Sequence, residues 1–199
     1  MPFIVVSFNK SFRSSIKFKL VFYRLQIDIV VFYGVPKPFK VDVIWASRQA
    51  EYEADKKRQK EIEETTIDNF RIGEMQPERD HNLQSSAMSY VDEALGRTGR
   101  EARPGNFFAF DMKTLPDQNC SLLLTYIGDD KDRMFDVLVD GVKLTTVQWN
   151  GGKTGKFYDF NYPIPSDMTM NKTKVTIRIE ANYKKAAGRI FGCRIMKIK

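Results

Sequence analysis

At 199 residues with 42% hydrophobic and 29% charged side chains, the chain has room for one domain plus an appendage. Its formal net charge of +7 points at first to a polyanion. However, residues 1–40 hold seven Lys/Arg against the single acid Asp28, and the remainder holds 25 basic and 24 acidic side chains, so the body is nearly neutral and a nucleic-acid partner is set aside.

In chain order, residues 1–40 come first. They contain seven of the 15 Phe, mixed with Lys and Ser without a clear period. The best apolar stretch, residues 20–36, is broken by Arg24, Gln26 and Asp28 and is followed by no small-residue cleavage site, so it reads neither as an export signal nor as a membrane span. The expectation is an atypical segment, disordered or mis-translated, outside the native fold. Residues 44–64 then predict a helix: they lack Gly and Pro, Ser47 is placed to cap, and Glu53–Lys57 is a favourable i,i+4 pair. Trp45, Tyr52 and Ile62 give only a thin apolar stripe, which suits a solvated linker over residues 41–65.

From Thr66 to Lys199 the period changes to two. Phe108 and Phe110, Leu122, Leu124 and Tyr126, Phe135, Val137 and Val139, and Val175, Ile177 and Ile179 alternate with outward positions such as Leu123 and Thr125. Asp140-Gly141 between two such runs predicts a type I′ hairpin, because that turn needs positive φ at both central residues. The last run, Arg189 to Ile198, is apolar on both faces and predicts a strand covered on both sides. About six to nine short strands with no second helix predict an all-β, antiparallel, jelly-roll-like sandwich. Cys120 and Cys193 read as buried free thiols within it.

Four segments occur in order: Thr66-Ile67-Asp68, then Gly73-Glu74-Met75-Gln76-Pro77-Glu78-Arg79-Asp80-His81-Asn82, then Tyr126-Ile127-Gly128-Asp129-Asp130, then Phe135-Asp136-Val137-Leu138-Val139-Asp140-Gly141. From about Val41 to Lys199 the chain resembles the C-terminal β-sandwich region of β-L-arabinofuranosidase-like glycoside hydrolases (glycoside hydrolase family 127 and relatives), many of them from gut Bacteroidetes. In that family the resemblance implies catalysis in an upstream (α/α)6 barrel, with a cysteine nucleophile beside zinc. Neither Cys120 nor Cys193 has the clustered spacing of such a zinc site, so no zinc and no catalytic residue are carried over to this chain. The resemblance therefore implies an accessory domain in plant-glycan degradation, its partner a helical barrel, acting in the periplasm or outside the cell.

Candidate site residues fall in three groups. Trp149, Tyr158 and Tyr162 are the aromatics suited to stack on sugar rings, with Asn150, Asp159 and Asn161 nearby for hydroxyl groups. His81, the only histidine, reads as a sugar contact or as a pinned structural residue. Glu74, Glu78 and Asp80 read as ligands for calcium, as a docking segment, or as a carboxylate pair for hydrolysis. Arg97, Arg100 and Arg103 read as a solvated loop, with contacts to a ligand or to an acidic patch on a neighbouring domain as the alternative. Three functions follow: an accessory sandwich packed on a barrel, a free-standing module for arabinose-containing glycans, and a glycosidase in its own right. In the first, the isolated chain exposes an apolar docking face.

Overall fold

The computed structural model describes the backbone of residues 6–9, 15–22, 25–32 and 41–47 and, in full, residues 48–116 and 118–198. The chain divides into two units, Met1–Asp55 and Lys56–Lys199. In the first, β1 (Val6–Asn9), β2 (Ser15–Phe22) and β3 (Leu25–Phe32) form a three-stranded antiparallel sheet in that order. The other residues of 1–40 lie outside the described residues.

Helix α1 runs Val41–Thr65, so Ser47 is interior to it and not its cap. The described side chains from position 48 onward are exposed through Glu61, and the ion pairs along the helix are Lys57–Glu61 and Lys60–Glu64. Ile62 is buried, packed with Leu123 and Met196.

The second unit is a jelly-roll-like antiparallel sandwich. Its strands are β4 (Thr66–Phe70), β5 (Gln84–Ser85), β6 (Ser89–Ala94), β7 (Arg97–Ala102), β8 (Phe107–Lys113), β9 (Cys120–Ile127), β10 (Arg133–Val139), β11 (Val142–Trp149), β12 (Phe157–Ile164), β13 (Lys174–Ala181) and β14 (Ile190–Lys197). One sheet has the order β11-β10-β13-β8-β5; the other has β12-β9-β14-β7-β6, with β4 also paired to β14. The strands exceed the number expected because β4, β5, β6 and β7 are short, polar or both, and carry little alternation. Residues 97–102, read as a loop, are strand β7. Two short helices also interrupt the all-strand expectation: α2 (Met75–Asp80) and α3 (Ser166–Thr169).

The alternating residues meet between the sheets. Phe108, Phe110, Leu122, Leu124, Tyr126, Phe135, Val137, Val139, Val175, Ile177 and Ile179 all belong to the core, so apolar burial drives the stacking. Leu123 and Thr125 depart from expectation: β9 is buried on both faces, Leu123 by Ile62 of α1 and Met196 of β14. At the β10–β11 turn, Asp140 and Gly141 adopt φ of 47° and 81°, as the hairpin requires, with Val139 opposite Val142. Cys120 and Cys193 are buried and unbridged, and burial pushes both thiols up, Cys193 well above the ordinary range. Neither is placed as a nucleophile.

One ion pair ties α2 to the sandwich. Arg100 of β7, 8% exposed, donates through Nε and Nη2 to Glu78 at 2.9–3.1 Å, and the Gly73 N–H donates to Glu78 Oε1 at 3.0 Å. Removing Glu78 strands a buried guanidinium. E78A is expected to lose roughly 3–5 kcal/mol of stability in urea unfolding, with E78Q retaining more; a loss under about 1 kcal/mol would mean the pair is solvated.

Three surface carboxylates set the acid response. Burial pulls the Asp111 carboxyl up, but bonds from Lys174, Thr176 and Asn82 hold it below its ordinary value. Asp136 is treated likewise by Lys143 and Thr146, and Asp92 is lowered first by the Glu93 N–H and then by Arg189. A lowered folded pKa contributes stability that is complete above the unfolded value and is lost as pH falls through the folded one. Thermal midpoints are expected to hold from pH 7 to about 5 and to fall below about pH 4. D111N should flatten that fall.

Candidate functional site

Strand parity divides the aromatic candidates from their polar neighbours. On β12, Tyr158, Phe160, Tyr162 and Ile164 face the space between the sheets, and Phe157, Asp159, Asn161 and Pro163 face outward. Trp149, at the end of the edge strand β11, is half-buried against them. Its Nε1–H donates to the Ile127 carbonyl at 2.9 Å, and its ring lies 5.4–5.9 Å from those of Tyr126, Tyr158 and Phe160. The Tyr162 hydroxyl is 3.1 Å from that of Tyr126, and the Tyr158 hydroxyl accepts the Lys153 N–H at 2.8 Å. These rings close the open side of the sandwich as one interlocked cluster. Asp159 and Asn161 stand on the opposite face of β12, and Asn150 is exposed in the loop that follows β11.

The other candidates lie at α2. His81 Nδ1–H donates to the Pro77 carbonyl at 2.8 Å, Nε2 is 3.4 Å from Asp68, and the ring packs on Phe70 at 4.7 Å. Glu74 pairs with Arg71, Glu78 with Arg100, and Asp80 accepts from Gln76. The three carboxylates thus point to three different partners. Among the described residues no three His, Cys, Asp or Glu side chains gather to hold a metal, so the residues present do not fit calcium.

The structure brings together a different set, on the outer face of the second sheet. β14 shares one edge between two strands that do not meet: Ile190 pairs with Arg100 of β7, and Cys193 with Phe70 of β4. The ladder along that edge skips Phe191 and Gly192, leaving a notch. After β4 the chain turns away through Arg71–Gly73, held by a Thr98 hydroxyl bond to the Ile72 carbonyl at 2.8 Å. The result is a groove of about 410 Å3. Asn69, Arg71 and Glu74 line one wall, Arg97 and Thr98 another, and Thr125, Phe191, Gly192 and Arg194 the floor. Gly192 keeps that floor open: a Cβ there would lie 2.9 Å from Thr125 Oγ1.

Aromatic and polar groups are mixed along the groove's flank. Phe191 and Phe157 pack edge to face at 5.1 Å, and the Arg97 guanidinium lies 4.6 Å over the Phe157 ring. Thr125 Oγ1–H donates to Asp159 at 2.7 Å, and Asp159 also accepts from Arg58 of α1 at 2.9 Å. Beyond that bond a second depression of about 330 Å3 continues between α1 and the same sheet, past Leu123, Asn161 and Lys197. Of the sequence candidates, Glu74, Arg97, Asp159 and Asn161 lie at these two depressions. Asn69, Thr125 and Arg194 were missed because they come from strands far apart in the chain and belong to no local cluster. Gly192, inside a mostly apolar strand, was the one local signal of a bulge or close approach.

Residues 61–196 match the model of a family of unknown function (DUF6805). The chain belongs to that family. No curated protein matches it. Among solved structures, this DUF6805 chain is similar to a family 35 carbohydrate binding module from Clostridium thermocellum at 10% identity and TM-score 0.48, covering 59% of this chain and 93% of that one. It is similar to a carbohydrate binding module from a Cellvibrio mixtus lichenase in complex with cellotriose at 12% identity and TM-score 0.49, covering 67% and 99%. It is also similar to an exo-beta-1,3-galactanase from Phanerochaete chrysosporium with beta-1,3-galactotriose at 14% identity and TM-score 0.44, covering 57% of this chain and 27% of that one. At these scores and identities the likenesses assign no ligand and no activity to the DUF6805 domain. Among the described residues no helix is long and apolar enough to cross a membrane.

The Trp149 cluster makes a stability prediction. W149A removes a ring that closes the sandwich and takes from the Ile127 carbonyl the shorter of its two bonds, leaving the Asp130 N–H at 3.4 Å. It is expected to cost roughly 3 kcal/mol in denaturant unfolding; a variant as stable as the parent would show that the ring stands free of the core.

Proposed function

We propose that this chain is a non-catalytic accessory β-sandwich of a β-L-arabinofuranosidase-like glycoside hydrolase, and that it binds carbohydrate in the groove beside β14. The observation that carries the carbohydrate reading is the groove itself. It is an open depression on a rigid sheet, and it mixes hydroxyl, amide and guanidinium groups with an aromatic flank. Polar groups of this kind fix the orientation of sugar hydroxyls, and apolar rings take the C–H faces. Its volume of about 410 Å3 lies within the usual range for small-ligand sites.

The non-catalytic part rests on the carboxylates. Glycoside hydrolysis needs two of them facing each other across the scissile bond. Among the groove's described lining residues Glu74 is the one carboxylate, and it pairs with Arg71. The parent-enzyme part rests on the four ordered segments of sequence. In this reading the partner is a helical barrel, and the setting is outside the cell or in the periplasm. Met88, Tyr90, Val91 and Leu95 are exposed on and beside the edge strand β6, Tyr90 and Val91 on opposite faces of it, and supply an apolar edge for that barrel.

The test is calorimetric titration of the full chain with arabino-oligosaccharides and other plant oligosaccharides, with N69W as a variant that fills the groove from an exposed position. Binding by the parent and a loss of at least tenfold in N69W are expected. A folded chain that binds none of the glycans would overturn the carbohydrate reading, and binding that survives N69W would move the site elsewhere.

A further inference from the structure

The charge of the groove specifies its ligand further than its shape does. Three guanidiniums, from Arg71, Arg97 and Arg194, line it against the single carboxylate of Glu74. Elsewhere in the sandwich the buried and half-buried arginines Arg100, Arg133 and Arg189 are matched by acids: Arg100 by Glu78, Arg133 by Glu101 and Asp130, and Arg189 by Asp130 and Asp92. Arg97 and Arg194 are not. Arg97 lies over the Phe157 ring, Arg194 donates to the Thr66 hydroxyl at 3.3 Å, and among the described residues neither pairs with a carboxylate. The nearest outward-facing acid along the floor, Asp159, is already held by Arg58 and Thr125.

Two features separate this from an ordinary basic surface. First, the body of the chain is nearly balanced in charge, so three arginines against one acid is not the composition of the body as a whole. Second, the two unmatched guanidiniums are positioned, one by ring stacking and one by a hydrogen bond. They come from different strands, β7 and β14, and face one depression. A planar guanidinium fork presents parallel N–H donors at the spacing of a carboxylate, and holding it in place reduces what is lost on binding.

We propose that the groove selects an acidic saccharide, one whose uronate carboxylate is received by Arg97 and Arg194 while the neighbouring sugar ring lies against Phe191 and Thr125. This rests on the carbohydrate reading above and names its substrate class. The ligand is a chain or chain end carrying carboxylates, and a neutral homologue is bound more weakly because the two guanidiniums then meet no counter-charge.

The experiment is titration of the full chain with a defined oligogalacturonide, with the same oligosaccharide after reduction of its carboxyl groups, with a sulfated neutral oligosaccharide, and with a single-stranded oligonucleotide. The parent chain is expected to bind the oligogalacturonide at least tenfold more tightly than the reduced form, with the gap narrowing as salt rises from 0.05 to 0.5 M. The variants R97Q and R194Q should close most of that gap, lowering the affinity for the acidic form at least tenfold more than that for the reduced form. Thermal melts and circular dichroism check that both remain folded. Equal binding of acid and reduced forms, or a gap that survives both variants, overturns the proposal and leaves the carbohydrate reading intact. Tighter binding of the sulfated sugar or the oligonucleotide overturns the uronate assignment. Binding of no saccharide overturns both.

Discussion

The rest of the structure depends on strand β14. It is covered on both faces and paired on both edges, and on one edge it serves two partners, β4 and β7. A central strand with two partial neighbours cannot keep a continuous ladder, because the chain leaving β4 and the chain entering β7 both need room to turn. The gap falls at Phe191-Gly192. Glycine fits there because any side chain would press on Thr125, whose hydroxyl is committed to Asp159. The groove is thus a consequence of topology: it is the space left where two strands share one edge.

The sequence segments that support the resemblance mark the lock around this gap more than its contents. Asp68 accepts the Lys113 N–H at 2.7 Å and faces His81, and Glu78 holds Arg100 and the Gly73 N–H. Together they pin the turn from β4 into α2 against β7 and β8. A segment dense in Glu, Asp and His invites a catalytic or metal reading. Here each acid is matched to a specific donor, and the charge is absorbed in fixing the backbone.

The fold was legible where one face of a strand is buried and the other wet. β10 and β13 alternate as read, and Asp140-Gly141 turns the chain as its φ requirement demands. On β9 the strand was legible but its second face was taken as wet, whereas β14 was read as covered on both sides; legibility failed where strands are held by their neighbours and not by their own pattern, as on β4 and β7. The site was harder to read. Trp149, Tyr158 and Tyr162 do come together, but in the space between the sheets, because parity sends alternate residues of β12 to opposite faces. The aromatic and amide residues adjacent in sequence are therefore separated by the thickness of a strand. The groove draws on Asn69, Arg97, Thr125 and Arg194, whose proximity is set by strand order alone, and no spacing along the chain encodes that.

The two depressions on the outer face form a sequence of their own. The notch beside β14 and the hollow under α1 are joined across Thr125, Asp159 and Arg58, so the polar surface runs along the sheet and not into it. An open, elongated surface suits a ligand that is itself extended, touched on one side and free on the other. The single carboxylate of the notch, Glu74, is paired with Arg71, and both thiols are buried and raised, which fits the recognition role proposed above.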